Sequence, residues 1–170
     1  MKHVYLVGFP GTGTVAIGKK LCERLALPFF DLDARLEKAH DSDVMALFRQ
    51  LGRDAFGRAT SQMLQTLAAE PPAVVAVADH VPFSDEDWAL IKQSGHSIYI
   101  QRPAERLFWR LRHDRKLPIF ADIAPEDRKG FIEAQLVERE GRYKEADIVL
   151  FCYHEEVPDI AKLIAEKLLA

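Results

Sequence analysis

The segment Gly8-Phe9-Pro10-Gly11-Thr12-Gly13-Thr14-Val15 has the glycine spacing of a loop that cradles phosphate. In the pattern Gly-x-x-x-x-Gly-Lys-Ser/Thr, backbone amides and the helix start behind them hold the anion. The lysine reaches the β- and γ-phosphates, and the hydroxyl binds Mg²⁺. Gly8 and Gly13 take the glycine positions, with Gly11 and Thr12 between them, but Thr14 replaces the lysine and Val15 the hydroxyl. The shape of a phosphate site is present without its cation or its metal ligand. Lys19 is the nearest cation downstream. It lies about 7.5 Å up a helix from Thr14 and turned by roughly 140°, so it is expected to point away.

Three further groups have chemical potential. Asp31 and Asp33 follow a short apolar run and are read either as site carboxylates or as solvated acids at a strand end. Asp79-His80 is a candidate acid–base or metal pair. Arg102, Arg106, Arg110, Arg112, Arg115 and Lys116 form a basic stretch. It is either an anion-facing lid, with Arg115 or Lys116 supplying the missing cation, or a solvated helix face.

The elements that must position these residues alternate between strand and helix. Apolar runs at 4–7, 28–31, 73–78, 97–101 and 148–151 read as five strands. Helical periodicity marks 16–25, 43–51, 55–69, 103–113, 125–144 and 158–169, and Ser84 with Asp87 marks a capped helix start. Residues 114–124 read as a loop. Strands without internal alternation, separated by helices, indicate a parallel sheet covered on both faces. Trp88 and Trp109 sit among apolar neighbours and are expected to pack or to meet a protein.

Composition narrows the classes. The chain has 170 residues, 48% hydrophobic and 29% charged, with a net charge of −3. These values exclude dominant disorder and a global basic field for nucleic acid or an anionic membrane. Two cysteines, Cys22 and Cys152, do not make a disulfide framework. No apolar run is long enough for a secretory leader or a membrane span, so a single cytoplasmic domain is expected.

Val4–Gly18 followed by Leu27-Pro28-Phe29-Phe30-Asp31-Leu32-Asp33 resembles the shikimate kinase family. The resemblance continues at Ala55-Phe56, at Arg112-His113-Asp114-Arg115-Lys116-Leu117-Pro118, which looks like the lid, and at Glu138-Arg139-Glu140-Gly141-Arg142-Tyr143. It implies a three-layer α/β/α P-loop domain with a five-stranded parallel sheet of order 2-3-1-4-5. It also implies transfer of the ATP γ-phosphoryl group to the 3-hydroxyl of shikimate with Mg²⁺. Residues 33–62 would be the substrate-binding region and 112–124 the lid.

Carried over by position, Gly8, Gly11, Thr12, Gly13, Thr14 and Arg115 would bind nucleotide. Asp33 would contact the shikimate hydroxyls and orient the nucleophile, Asp31 would lie near Mg²⁺, and Arg139 would hold the shikimate carboxylate. Gly57 stands where the family has an arginine, and Arg58 is the nearest replacement. Ala78-Asp79-His80 replaces a triple-glycine turn, and Leu117 replaces a lid arginine. Both halves of the site are depleted together. Two functions follow: an impaired or non-catalytic homologue that keeps nucleotide or phosphate binding, or a working ATP-dependent kinase of shikimate or a related hydroxylated acceptor. Small molecules are the expected partners, and the sequence names no protein partner.

Overall fold

The computed structural model describes residues 1–170. Five parallel strands form one sheet: β1 (His3–Val7), β2 (Phe29–Asp31), β3 (Val74–Ala76), β4 (Gly95–Gln101) and β5 (Ile148–Phe151). Their order is β2-β3-β1-β4-β5, as the resemblance implied. Eight helices cover the sheet: α1 (Thr14–Leu25), α2 (Leu32–His40), α3 (Val44–Leu51), α4 (Arg53–Ala68), α5 (Asp85–Ser94), α6 (Ala104–Leu111), α7 (Arg128–Tyr143) and α8 (Val157–Leu169).

The period of two along a strand sends alternate residues of β1 to opposite faces. Val4 and Leu6 pack with Ile17, Leu21, Ile160 and Ile164 beneath α1 and α8. Tyr5 and Val7 pack with Leu64, Leu67 and Trp88 beneath α4 and α5. All five β1 residues are buried, which is why the strand reads as one apolar run. Each large apolar side chain so enclosed contributes ~1.5–3 kcal/mol.

The expected strands and helices are present with ends shifted by a few residues. Two features differ. Residues 32–40 form the helix α2, whose only buried residues are Leu32 and Leu36. The Asp31 side chain caps it by accepting the Asp33 N–H at 3.0 Å. The expected loop at 114–124 contains a 3-10 turn at Pro118–Phe120, and a second turn at Pro125–Asp127 precedes α7. Trp109 is exposed, whereas Trp88 is buried and donates from Nε1 to Glu145 at 3.2 Å. No helix is long and apolar enough to cross a membrane.

This topology sets the place of the chemistry. Pairing aligns Leu6 with Ala76 and with Ile98, and Asp31 with Ala76. The carboxyl ends of β1, β2, β3 and β4 therefore bring together the glycine-rich loop, Asp31, residues 77–80 and Arg102. Ligands of open parallel sheets bind in this crevice.

Candidate functional site

The loop between β1 and α1 keeps its phosphate-cradling backbone. Gly11 and Gly13 hold φ values of 82° and 103°. A Cβ on Gly11 would lie 2.5 Å from Leu111 Cδ2 and 3.0 Å from Leu117 Cδ1. Leu117, at the lid arginine position, thus packs an apolar side chain onto the loop. Behind the loop, α1 starts with no side-chain cap and no acid in its first turn. Its first amides and positive dipole end remain available to an anion.

Above the loop lies a cavity of about 410 Å³, lined among others by Gly11, Gly13, Thr14, Val15, Asp31 and Asp33. Lys19 also lines it, contrary to its expected direction. The reason is that the cavity runs along the Val15–Lys19 stripe toward Asp31, not straight out from Thr14; residues at i and i+4 share a helix face. Burial and the neighbouring Asp33 charge raise the Asp31 carboxyl above its usual value.

On the acceptor side, the substituted segment Asp79-His80 is buried, with exposures of 3% and 2%. Asp79 Oδ2 lies 3.3 Å from Arg139 Nη1, and the same guanidinium donates to the Asp79 carbonyl. Tyr143 donates its hydroxyl to Asp79 Oδ1 at 2.6 Å and lies 3.3 Å from the Gly8 carbonyl. Burial pushes the Asp79 carboxyl up to about 6, although Arg139, Tyr143 and His80 all favour its ionised form. His80 donates from Nε2 to Asp33 Oδ2 at 2.8 Å, leaving His80 Nδ1 and Asp33 Oδ1 buried without partners. One substituted segment thus engages both residues that the resemblance assigns to the acceptor, Arg139 and Asp33. A cavity of about 160 Å³ remains beside them, lined among others by Phe48, Arg53, His80, Gln135 and Arg139.

The remaining assigned residues separate into two groups. Gly8, Gly11, Thr12, Gly13 and Thr14 stay together at the loop, whereas Arg58 and Arg115 are exposed and line neither of these cavities. The cations that do touch the loop are Arg102, whose Nε donates to the Thr12 carbonyl at 2.8 Å, and Arg110, whose Nε donates to the Gly11 carbonyl at 2.9 Å. Sequence reasoning grouped both with the basic stretch and singled out Arg115 or Lys116 instead. Arg102 directly follows β4, beside β1, and that adjacency was the available signal.

The donors present do not fit the Mg²⁺ ion that the fold family implies. Val15 offers no oxygen where the family has its hydroxyl, His80 engages Asp33 Oδ2, and the Asp33 N–H engages Asp31 Oδ1, which leaves one oxygen of each carboxylate. No group of three or more His, Cys, Asp or Glu side chains converges anywhere in the chain.

A family model described as shikimate kinase matches residues 10–169. The shikimate kinase of Azobacteroides pseudotrichonymphae genomovar. CFP2 is 29% identical over 170 residues, covering 99% of this chain and all of that one. That of Cupriavidus pinatubonensis is 28% identical over 167 residues, covering 98% and 85%. Among solved structures, shikimate kinase from Acinetobacter baumannii, in complex with shikimate, aligns with a TM-score of 0.91 at 22% identity, covering 99% of this chain and 93% of that one. The Bacteroides thetaiotaomicron enzyme aligns with a TM-score of 0.89 at 23% identity, covering 99% of both chains. These structural likenesses establish the three-layer fold; the sequence match establishes the lineage. The chain belongs to the shikimate kinase family.

Proposed function

We propose that this member of the family has lost efficient phosphoryl transfer to shikimate and persists as a phosphate- or nucleotide-binding protein of the cytoplasm. The whole chain acts as one domain, with residues 33–62 on the acceptor side and 112–124 as the lid. The observation that carries the reading is the pairing of Asp79 with Arg139 and of His80 with Asp33. A carboxylate of the chain itself occupies the guanidinium that would hold an acceptor carboxylate, and an imidazole occupies the carboxylate that would meet its hydroxyls. Phosphoryl transfer depends on positioning and charge neutralisation. Loss of one preorganised donor typically costs ~10²–10³ in rate, and here the loop lysine and the metal hydroxyl are both absent.

The second reading, a working kinase of shikimate or a related hydroxylated acceptor, draws on the cavity of about 410 Å³ over the loop. Lys19, Asp31, Asp33 and Arg110 line it, so charged groups of both signs face the space between phosphate and acceptor.

Isothermal titration with Mg·ATP and with shikimate, beside a coupled ADP-release assay, separates the two. The impaired reading expects no saturable shikimate binding and no shikimate-dependent ADP release. Turnover within the ordinary kinase range of ~1–100 s⁻¹ would refute it.

A further inference from the structure

The loop carries more positive charge than its own sequence contains. Arg102 and Arg110 each spend Nε on a loop carbonyl, those of Thr12 and Gly11. Their terminal nitrogens stay beside the loop: a Cβ on Gly13 would lie 3.1 Å from Arg110 Nη2 and 3.8 Å from Arg102 Nη2. Burial, and then the Arg102 charge, lower the Arg110 pKa, which marks two like charges held close together.

Neither guanidinium forms an ion pair with any carboxylate. Glu155 interacts with Arg102, but its Oε2 accepts the backbone N–H groups of Tyr153 and His154. Beside the two guanidiniums lies the uncapped start of α1, which adds further positive potential. Thr12 Oγ1, in the same loop, is buried without a partner. Arg110 lines the cavity above the loop and, with Arg102 and Arg106, a second cavity of about 410 Å³ bounded by Tyr153, His154, Glu155 and Glu156. Arg110 thus faces both cavities, and Arg102 faces the second.

We propose that Arg102, at the end of β4, supplies the cation that the loop lysine no longer provides, with Arg110 beside it. The loop then binds a di- or triphosphate chain through guanidinium groups, without a metal ion. The inference rests on the reading that the loop retains phosphate binding. It goes further by naming the residue and the ligand chemistry. Guanidinium pairs well with phosphate oxygens because its planar fork donates two parallel hydrogen bonds.

The test is isothermal titration of the full chain with inorganic tripolyphosphate in EDTA, repeated with ATP. Native protein is expected to saturate below about 1 mM ligand. Arg102→Gln is expected to weaken binding ~10–100-fold, the loss of a charge-assisted contact, while Lys167→Gln, in the last turn of α8 and lining neither cavity, changes it less than about three-fold. Thr14→Lys in the Arg102→Gln background is expected to restore most of the affinity, because it returns a cation to the loop. Circular dichroism checks each fold, and Arg102→Lys, which keeps the charge, serves if Arg102→Gln does not fold; its affinity is then expected to stay within about ten-fold of native. ATP binding much tighter than tripolyphosphate would identify a nucleotide as the source of the chain, and equal affinities a free polyphosphate; both support the assignment if they depend on Arg102. Absence of any binding would overturn the phosphate-loop reading along with this inference. Binding indifferent to Arg102→Gln, a loss that Thr14→Lys leaves unrepaired, or an Arg102→Lys loss as large as removal of the charge would overturn the inference alone.

Discussion

Replacing Asp79 by asparagine should remove a specific pH dependence from the stability of the fold. The carboxyl is 3% exposed, and burial raises it from 3.8 to about 6 despite Arg139, Tyr143 and His80. Because the folded value exceeds the unfolded one, folded protein keeps this proton over a window in which the unfolded chain has released it. Stability from this group is full below about pH 4 and is lost as the pH rises through about 6. A shift of about two units is worth ~3 kcal/mol at 1.36 kcal/mol per unit, of which ~2–3 kcal/mol falls between pH 4 and pH 7. Urea unfolding of native protein and Asp79→Asn across that range measures it. Titrating groups that do not interact with Asp79 cancel in the difference, as does any constant cost of leaving Arg139 without its carboxylate. The native protein should lose ~2–3 kcal/mol relative to the variant between the two ends. Parallel profiles, or a native protein that gains relative stability as the pH rises, would refute the reasoning. Either would mean that the attraction of Arg139 outweighs the burial of the charge.

Three further outcomes are expected. Asp79→Gly combined with His80→Gly frees Arg139 and Asp33, and titration should then detect saturable shikimate binding, each freed charged contact adding roughly ten-fold or more; no gain would show that these pairs are not what blocks the acceptor side. Gly95→Ala should lower stability by ~1–3 kcal/mol, since its Cβ would lie 2.5 Å from the His3 carbonyl oxygen and 2.7 Å from Tyr5 Cε2; an unchanged melting midpoint would contradict that geometry. Ser84→Ala should cost ~1 kcal/mol in urea unfolding, because Ser84 Oγ accepts the Asp87 N–H at 3.1 Å within a reciprocal capping box; a cost indistinguishable from zero would mean the cap is dispensable.

The fold was legible because its signals are local and repeated. Buried strands read as unbroken apolar runs, and β1 is buried at every residue. The helix α2 escaped notice because only Leu32 and Leu36 face the core within a charged sequence, and its cap, Asp31, was read as a strand end. The loop's missing lysine and hydroxyl were also visible, since a motif is defined by spacing along the chain. The partners of Asp79 and His80 were not. Arg139 lies 60 residues from Asp79 and Asp33 lies 47 from His80, and no periodicity links such positions. The substituted turn was recognisable as lost glycine. That its two side chains would complete two buried pairs depended on tertiary packing. Lys19 shows the same limit on a smaller scale: helical rotation sets its direction relative to Thr14, but the direction in which the cavity extends is a property of tertiary packing.

The pairing of Asp79 with Arg139 and Tyr143 also bears on how this chain can change over generations. Removing the Asp79 side chain takes the carboxylate from a buried guanidinium and a buried phenol, which keep only the Asp79 and Gly8 carbonyls and Gln135 as acceptors. Breaking a buried pair from one side typically costs ~3–5 kcal/mol, a large share of the ~5–15 kcal/mol that keeps a domain folded. On the proposed impaired reading, restoring the loop lysine first brings no benefit while Asp79 and His80 hold Arg139 and Asp33. On that reading, a change toward phosphoryl transfer one substitution at a time crosses poorly folded or useless intermediates. The buried pair works as a ratchet, making the present arrangement easier to keep than to undo.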